Sequence, residues 1–257
     1  MIRSMKELHG ATIGATDGDI GTVRECYFDD VSYTVRYVVV DTGRWLSERK
    51  VLLSPLAFGA VDWEHKRITA ALTKAQVEKS PDIDTAQPIT RQHETDYFGY
   101  YGYAPYWTGA SLWGGSPNPH PGFGAAVNRA SFGPQRRWVW AARQGMDPTL
   151  RSSHAVTNYR IRATDGDIGH VDDFLLDDDS WAIRYLVVRT GRRWAGRKVL
   201  LAPAWIERVD WHHSEVHVTV TRAQVEKSPE YDPARSVEPA YEDQLQSHYG
   251  RPSDWGE

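Results

Sequence analysis

The sequence predicts a mainly β protein with short helices, arranged as two small β-barrels in tandem, each with a helical annex at its C-terminal side. Three observations lead there. The chain repeats itself at a constant shift of 148 residues, each copy carries β-branched runs separated by turn signals, and each copy closes on helix caps and helix stops.

The duplication fixes every later alignment. Ala15-Thr16-Asp17-Gly18-Asp19-Ile20-Gly21 returns as Ala163-Thr164-Asp165-Gly166-Asp167-Ile168-Gly169, and 37 of the 70 positions from 15 to 84 are identical to those 148 later. The match reaches outward to Arg3-Ser4 with Arg151-Ser152, Tyr101-Gly102 with Tyr249-Gly250 and Trp107 with Trp255. The first repeat with its annex therefore spans residues 1–107, a linker spans 108–149, and the second repeat with its annex spans 150–257. The linker is rich in Gly, Pro and Ser from Thr108 to Gly122, the composition of a solvated connector. Its second half, Arg136-Arg137-Trp138-Val139-Trp140, sets two basic residues beside two tryptophans, as an interaction motif or a strap onto a barrel would.

Within a copy, Asp17-Gly18 and Asp165-Gly166 lie between short apolar runs and predict a tight hairpin. Val35 to Val40, with its counterpart Ile183 to Val188, is β-branched and aromatic and predicts a central strand. Val216, Val218 and Val220 alternate with His217 and Thr219, which points the valines inward and the imidazole outward. Thr73-x-x-Gln76 and Thr221-x-x-Gln224 have the form of capping boxes, and Pro81 and Pro229 stop the short helices they open. His93 to Tyr101 and Tyr241 to Tyr249 predict second helices ending at Gly102 and Gly250. Several short strands in so few residues are best closed into a barrel, since closure removes unpaired edges.

The run from Ala15 to Gly21, then Phe28-Asp29-Asp30, Arg36 to Gly43 and Lys50 to Pro55 resembles a PRC-barrel domain, and the second copy repeats it with Leu176-Asp177-Asp178, Arg184 to Gly191 and Lys198 to Pro203. That family includes the cytoplasmic part of the photosynthetic reaction-centre H subunit and the C-terminal half of a bacterial ribosome-maturation factor. The chain differs from the first in lacking a transmembrane helix and from the second in lacking an RNA-associated domain. The resemblance implies a module that docks on other proteins, with no cofactor and no catalytic residue carried over.

Composition agrees with a folded domain pair: 40% hydrophobic and 25% charged residues suit a chain that buries a core. The formal charge of -4 offers no general attraction to phosphate backbones, so nucleic acid is an unfavoured partner. A single cysteine, Cys26, excludes an intramolecular disulfide, and its counterpart Phe174 points to a packed thiol. No apolar leader opens the sequence and no apolar run is long enough to span a bilayer, which predicts a cytoplasmic protein.

The residues that could carry chemistry are few. Asp17, Asp19, Asp165 and Asp167 could place carboxylates around a hard cation, yet Asp-Gly is also what a hairpin turn requires. Asp29-Asp30 and Asp177-Asp178-Asp179 read as solvated turns, and His212, His213 and His217 as surface histidines. Aromatic and basic side chains are the better candidates for contact with a partner: Arg44, Trp45 and Arg49 in the first copy, Arg192, Arg193, Trp194 and Arg197 in the second, and Trp138 and Trp140 in the linker. Equally, Trp45 and Trp194 could plug the ends of their own barrels. The sequence leads to a non-enzymatic interaction or adaptor module that associates with itself as a homodimer and engages a protein it does not identify. The alternatives are a ribosome or RNA-processing accessory factor and a peripheral adaptor of a membrane electron-transfer complex.

Overall fold

The computed structural model describes residues 1–47, 49–81, 89–119, 150–191 and 196–250. In chain order the elements are β1 (Ile2–Ser4), α1 (Met5–Leu8), β2 (Thr12–Ala15), β3 (Gly18–Asp29), β4 (Thr34–Asp41), β5 (Lys50–Leu53), β6 (Phe58–Asp62), β7 (Arg67–Ala70), α2 (Lys74–Glu78) and α3 (Arg91–Tyr101). The second copy follows with β8 (Leu150–Ser152), α4 (Ser153–Val156), β9 (Arg160–Ala163), β10 (Gly166–Asp177), β11 (Ile183–Thr190), β12 (Lys198–Leu201), β13 (Ile206–Asp210), β14 (Glu215–Val218), α5 (Arg222–Glu226) and α6 (Pro239–Tyr249).

Two seven-stranded sheets result. One runs β5-β4-β3-β2-β7-β6 with β8 added beside β3, and the other runs β12-β11-β10-β9-β14-β13 with β1 added beside β10. The shift of 148 holds through the registers, since Val23 pairs with Val40 where Val171 pairs with Val188. Even the bulges repeat, between Val23 and Glu25 and between Tyr27 and Phe28 in β3, and between Val171 and Asp173 and between Leu175 and Leu176 in β10. Bulges bend the strand that carries them. Each twelve-residue strand thereby offers its first half to one neighbour and its last three residues to another along the same edge.

Among the described residues the expected closure into a fully hydrogen-bonded barrel is not found, because the path stops at β5 and β6 in one sheet and at β12 and β13 in the other. The sheets are nevertheless curled. Five residue steps from Leu53 to Phe58 reach at most about 17 Å, whereas the outer strands of a flat six-stranded sheet stand about 24 Å apart. The one-turn link Pro55–Ala57 can join β5 to β6 only if the sheet bends round. Ile13, Ile20, Val38, Val40, Val51, Leu53 and Ile68 are completely buried within that curl.

Local signals behave as the sequence predicts. Both capping boxes form, at Thr73 with Gln76 and at Thr221 with Gln224, and Gly102 and Gly250 end α3 and α6 in the left-handed region. The annex helices begin two residues earlier than expected, because Thr90 caps α3 and Pro239 occupies the first turn of α6. Val216, Val218 and Val220 are buried. His217, expected to face outward, is only 21% exposed because Arg208 lies 3.4 Å from its Nδ1 and Glu215 lies 3.5 Å from its Nε2.

The chain divides into two compact units. The first-repeat unit consists of Glu7–Ser152 and Asp179–Ala182, and the second-repeat unit of Met1–Lys6, Ser153–Asp178 and Ile183–Glu257. The opening strand of each copy therefore belongs to the sheet built by the other copy. The start of the linker also departs from a solvated connector: in the first-repeat unit Trp113 is buried, its indole N–H donates to the Ser180 carbonyl at 2.8 Å, and the Leu112 carbonyl accepts from Arg36 at 2.5 Å. Trp138 and Trp140 lie outside the described residues.

Candidate functional site

The first-repeat unit is organised around Arg36, which the strand pattern places in β4 and which is 3% exposed. Its guanidinium donates to Ser32 Oγ at 2.9 Å and lies 3.4 Å from Asp29, with the ring of Tyr106 at 3.8 Å and that of Trp113 at 4.9 Å. Asp29 in turn accepts from the Val31 amide and the Ser32 hydroxyl. A buried cation needs a near counter-charge and partners for its donors. Asp29 supplies the charge and Ser32 and the Leu112 carbonyl meet two of the guanidinium nitrogens, while the buried Nε has no hydrogen-bond partner among the described residues.

Beside it lies Glu94, brought inward by α3. The Tyr106 hydroxyl donates to its Oε1 at 2.7 Å, the Tyr37 hydroxyl donates to the same oxygen at 3.2 Å, and Arg91 Nη1 stands 2.6 Å from its Oε2. Burial pushes the Glu94 carboxyl up to about 7 against the pull of Arg91 and both phenols. Tyr97 packs edge-on to Tyr37 at 5.1 Å, and its hydroxyl accepts from the Ser54 amide. This group seals the annex onto the sheet. The second copy keeps a reduced form: Tyr185 donates to Glu242 at 2.7 Å and Arg184 lies 3.9 Å away, while Pro239 stands where the first copy has Arg91.

The residues singled out from the sequence have structural tasks. Asp17 accepts from the Lys74 amide at 2.8 Å and Asp165 from the Arg222 amide at 2.7 Å, so each hairpin turn also caps a helix. Asp19 pairs with Arg67, and Asp167 with Arg162. Trp45 donates its indole N–H to the Ile20 carbonyl and lies beneath the Lys74 ammonium. Arg49 donates to the Glu78 and Ser80 carbonyls, and Arg197 to those of Glu226 and Ser228, which ties the end of each short helix to the sheet. Arg44 is exposed. Arg192, Arg193 and Trp194 lie outside the described residues. The Asp29-Asp30 pair is not a wet turn: Asp29 is buried against Arg36, and Asp30 accepts from Arg151 at 2.8 Å. His213 and His65 each bond the aspartate three residues before them, at 2.9 Å.

Removing the cap from both copies, Asp17→Ala with Asp165→Ala, is expected to lower stability by about 1 kcal/mol per site, whereas Asp→Asn at the same positions keeps an acceptor oxygen and should cost little. Urea denaturation of the two double variants separates the two outcomes. An alanine pair as stable as the asparagine pair would mean the carboxylates cap nothing in solution.

Sequence reading missed the two strand-docking edges. In the first-repeat unit β8 lies antiparallel to the end of β3, with Ser152 opposite Tyr27 and Leu150 opposite Asp29. Ser152 donates to Glu25, and Arg151 donates to Asp30. In the second-repeat unit β1 takes the same place on β10, with Ser4 opposite Leu175 and Ile2 opposite Asp177, and Ser4 donates to Asp173. Burial pushes the Asp30 and Asp173 carboxyls up, against the donors that meet them. The only signal in the sequence was the recurring Arg-Ser pair at the head of each copy.

The family model of the PRC-barrel domain matches residues 5–77. An uncharacterized protein of Deinococcus radiodurans is 38% identical over 90 residues, which cover 35% of this chain and 32% of that protein. The matched part thus spans about a third of the relative's length. Among the described residues no helix is long and apolar enough to cross a membrane.

Proposed function

We propose that this protein is a non-enzymatic interaction module of the bacterial cytoplasm that associates with itself and with a protein partner by adding strands to the edges of its sheets. One observation carries the reading: each seven-stranded sheet is completed by a strand contributed from outside its own repeat, with main-chain pairing supplemented by serine and arginine contacts to edge carboxylates. Strand addition of this kind is a common recognition mode, in which the backbone supplies affinity and side chains supply specificity.

Two further facts support it. The polar residues shared by both copies serve turns, helix caps and strand anchoring, as Asp17, Arg49 and Glu94 do with Asp165, Arg197 and Glu242. The large apolar side chains exposed among the described residues are Met1, Val31 and Tyr100, scattered singly, so an interface built from these units would draw on edges and polar groups more than on one apolar patch. The readings as a ribosome-associated factor or as a membrane-complex adaptor rest on family analogy alone.

Self-association is expected as a twofold dimer, the commonest closed assembly. Sedimentation equilibrium should give a mass above that of one chain within the micromolar range. A single-chain mass throughout would remove the self-associating half of the reading.

A further inference from the structure

The two docking edges present a problem of specificity. Their registers are equivalent, both incoming strands carry Arg-Ser, and in both a serine hydroxyl meets a carboxylate at the same aligned position, Glu25 or Asp173. Nothing in those contacts tells β1 from β8. Selection requires a difference between the two complexes, and repulsion in the wrong one serves as well as attraction in the right one.

One ion pair differs in this way. In the first repeat Arg24 on β3 pairs with Asp41 on β4 at 2.7 Å. In the second, the same two positions hold Asp172 on β10 and Arg189 on β11 at 3.0 Å, so the pair is kept with its charges inverted. Lys50 and Lys198 are the same in both. The residue two positions beyond each Arg-Ser serine is Lys6 after β1 and His154 after β8. In the second-repeat unit the Lys6 ammonium lies 3.4 Å from Asp172, which also receives Lys198 at 2.9 Å.

We infer that Asp172 is the recognition residue of a strand-docking site whose occupant is the chain's own Ile2–Lys6 segment, and that Arg24 at the equivalent place in the first repeat turns the same segment away. Entering the first-repeat edge in the observed register would set Lys6 against a guanidinium instead of a carboxylate. The inversion of one cross-strand pair thus directs the Ile2–Lys6 segment to the second-repeat sheet while leaving the backbone pairing and the serine–carboxylate contacts alike at the two edges. This goes beyond the interaction reading and does not depend on it, because routing is a property of one chain whether or not that chain dimerises.

The test is amide hydrogen exchange on the full chain. Lys6→Glu replaces a half-exposed side chain and should lower protection in peptides covering residues 2–6 and 175–177 by on the order of tenfold or more, with protection at 27–29 and 150–152 unchanged. Asp172→Arg with Arg189→Asp gives the second repeat the pair of the first and should produce the same loss. Adding Lys6→Glu to that double variant should restore protection, which a merely damaged sheet would not allow. Unchanged protection in Lys6→Glu, or a loss in the double variant that Lys6→Glu does not restore, would overturn the assignment.

Discussion

Between pH 5 and pH 8 the annex of the first repeat is expected to loosen as the solution becomes more basic. Glu94 is 2% exposed, and burial pushes its carboxyl from an ordinary 4.5 up to about 7. A carboxyl whose value is raised in the folded state binds its proton more tightly there than in the unfolded chain, so folding is favoured while the proton is present. The contribution is complete below about 4.5, declines through the interval up to about 7, and is lost above it. A shift of this size corresponds to about 3 kcal/mol over the window. Opening free energies of α3 from hydrogen exchange, corrected for intrinsic rates, should therefore fall with rising pH in the wild-type chain. Glu94→Gln cannot ionise and keeps an acceptor for the phenols of Tyr37 and Tyr106, so its profile should be flat across the same range. A wild-type profile without slope would show that Arg91, 2.6 Å away, holds the carboxylate charged even in the folded protein.

How much of this was legible in the sequence depends on how local each feature is. Hairpins, capping boxes, helix stops and the central strands are decided by neighbours a few residues apart, and they stand where Asp17-Gly18, Thr73-x-x-Gln76, Gly102 and Val35 to Val40 place them. Tyr37 with Tyr185 and Glu94 with Glu242 were visible as identities between the copies. A glutamate in a predicted surface helix nevertheless reads as solvated, and only tertiary packing reveals that α3 turns it inward. Trp113 was hidden in the same way, because a Gly-Ser-Pro composition describes backbone freedom and says nothing of one buried indole. The strand exchange was the least legible feature. Three-residue strands such as β1 and β8 have no periodicity to detect, and alignment shows that Arg3-Ser4 and Arg151-Ser152 are equivalent without showing which edge each one joins.

The second large effect is expected at Gly21, where Gly21→Ala should destabilise the protein by about 3 kcal/mol or more, toward the upper end for overpacked sites. Its conservation between copies as Gly169 follows from close approach and not from backbone freedom. A Cβ at Gly21 would stand 2.0 Å from the Asp41 carbonyl oxygen, and one at Gly169 would stand 2.1 Å from that of Arg189. The obstacle in each case is backbone, which cannot rotate aside as a long side chain can. Relief requires β3 to separate from β4 next to the Val23–Glu25 bulge, at the centre of the sheet. Gly43→Ala supplies the contrast: that residue sits at φ +62 with nothing within 4 Å of the added carbon, so the substitution meets only the left-handed backbone penalty of about 1 kcal/mol. Urea denaturation should accordingly rank Gly21→Ala well below Gly43→Ala, with Gly169→Ala matching Gly21→Ala in the second repeat. Equal losses at Gly21 and Gly43 would mean that β3 and β4 stand farther apart in solution than their pairing through Thr22 and Asp41 requires.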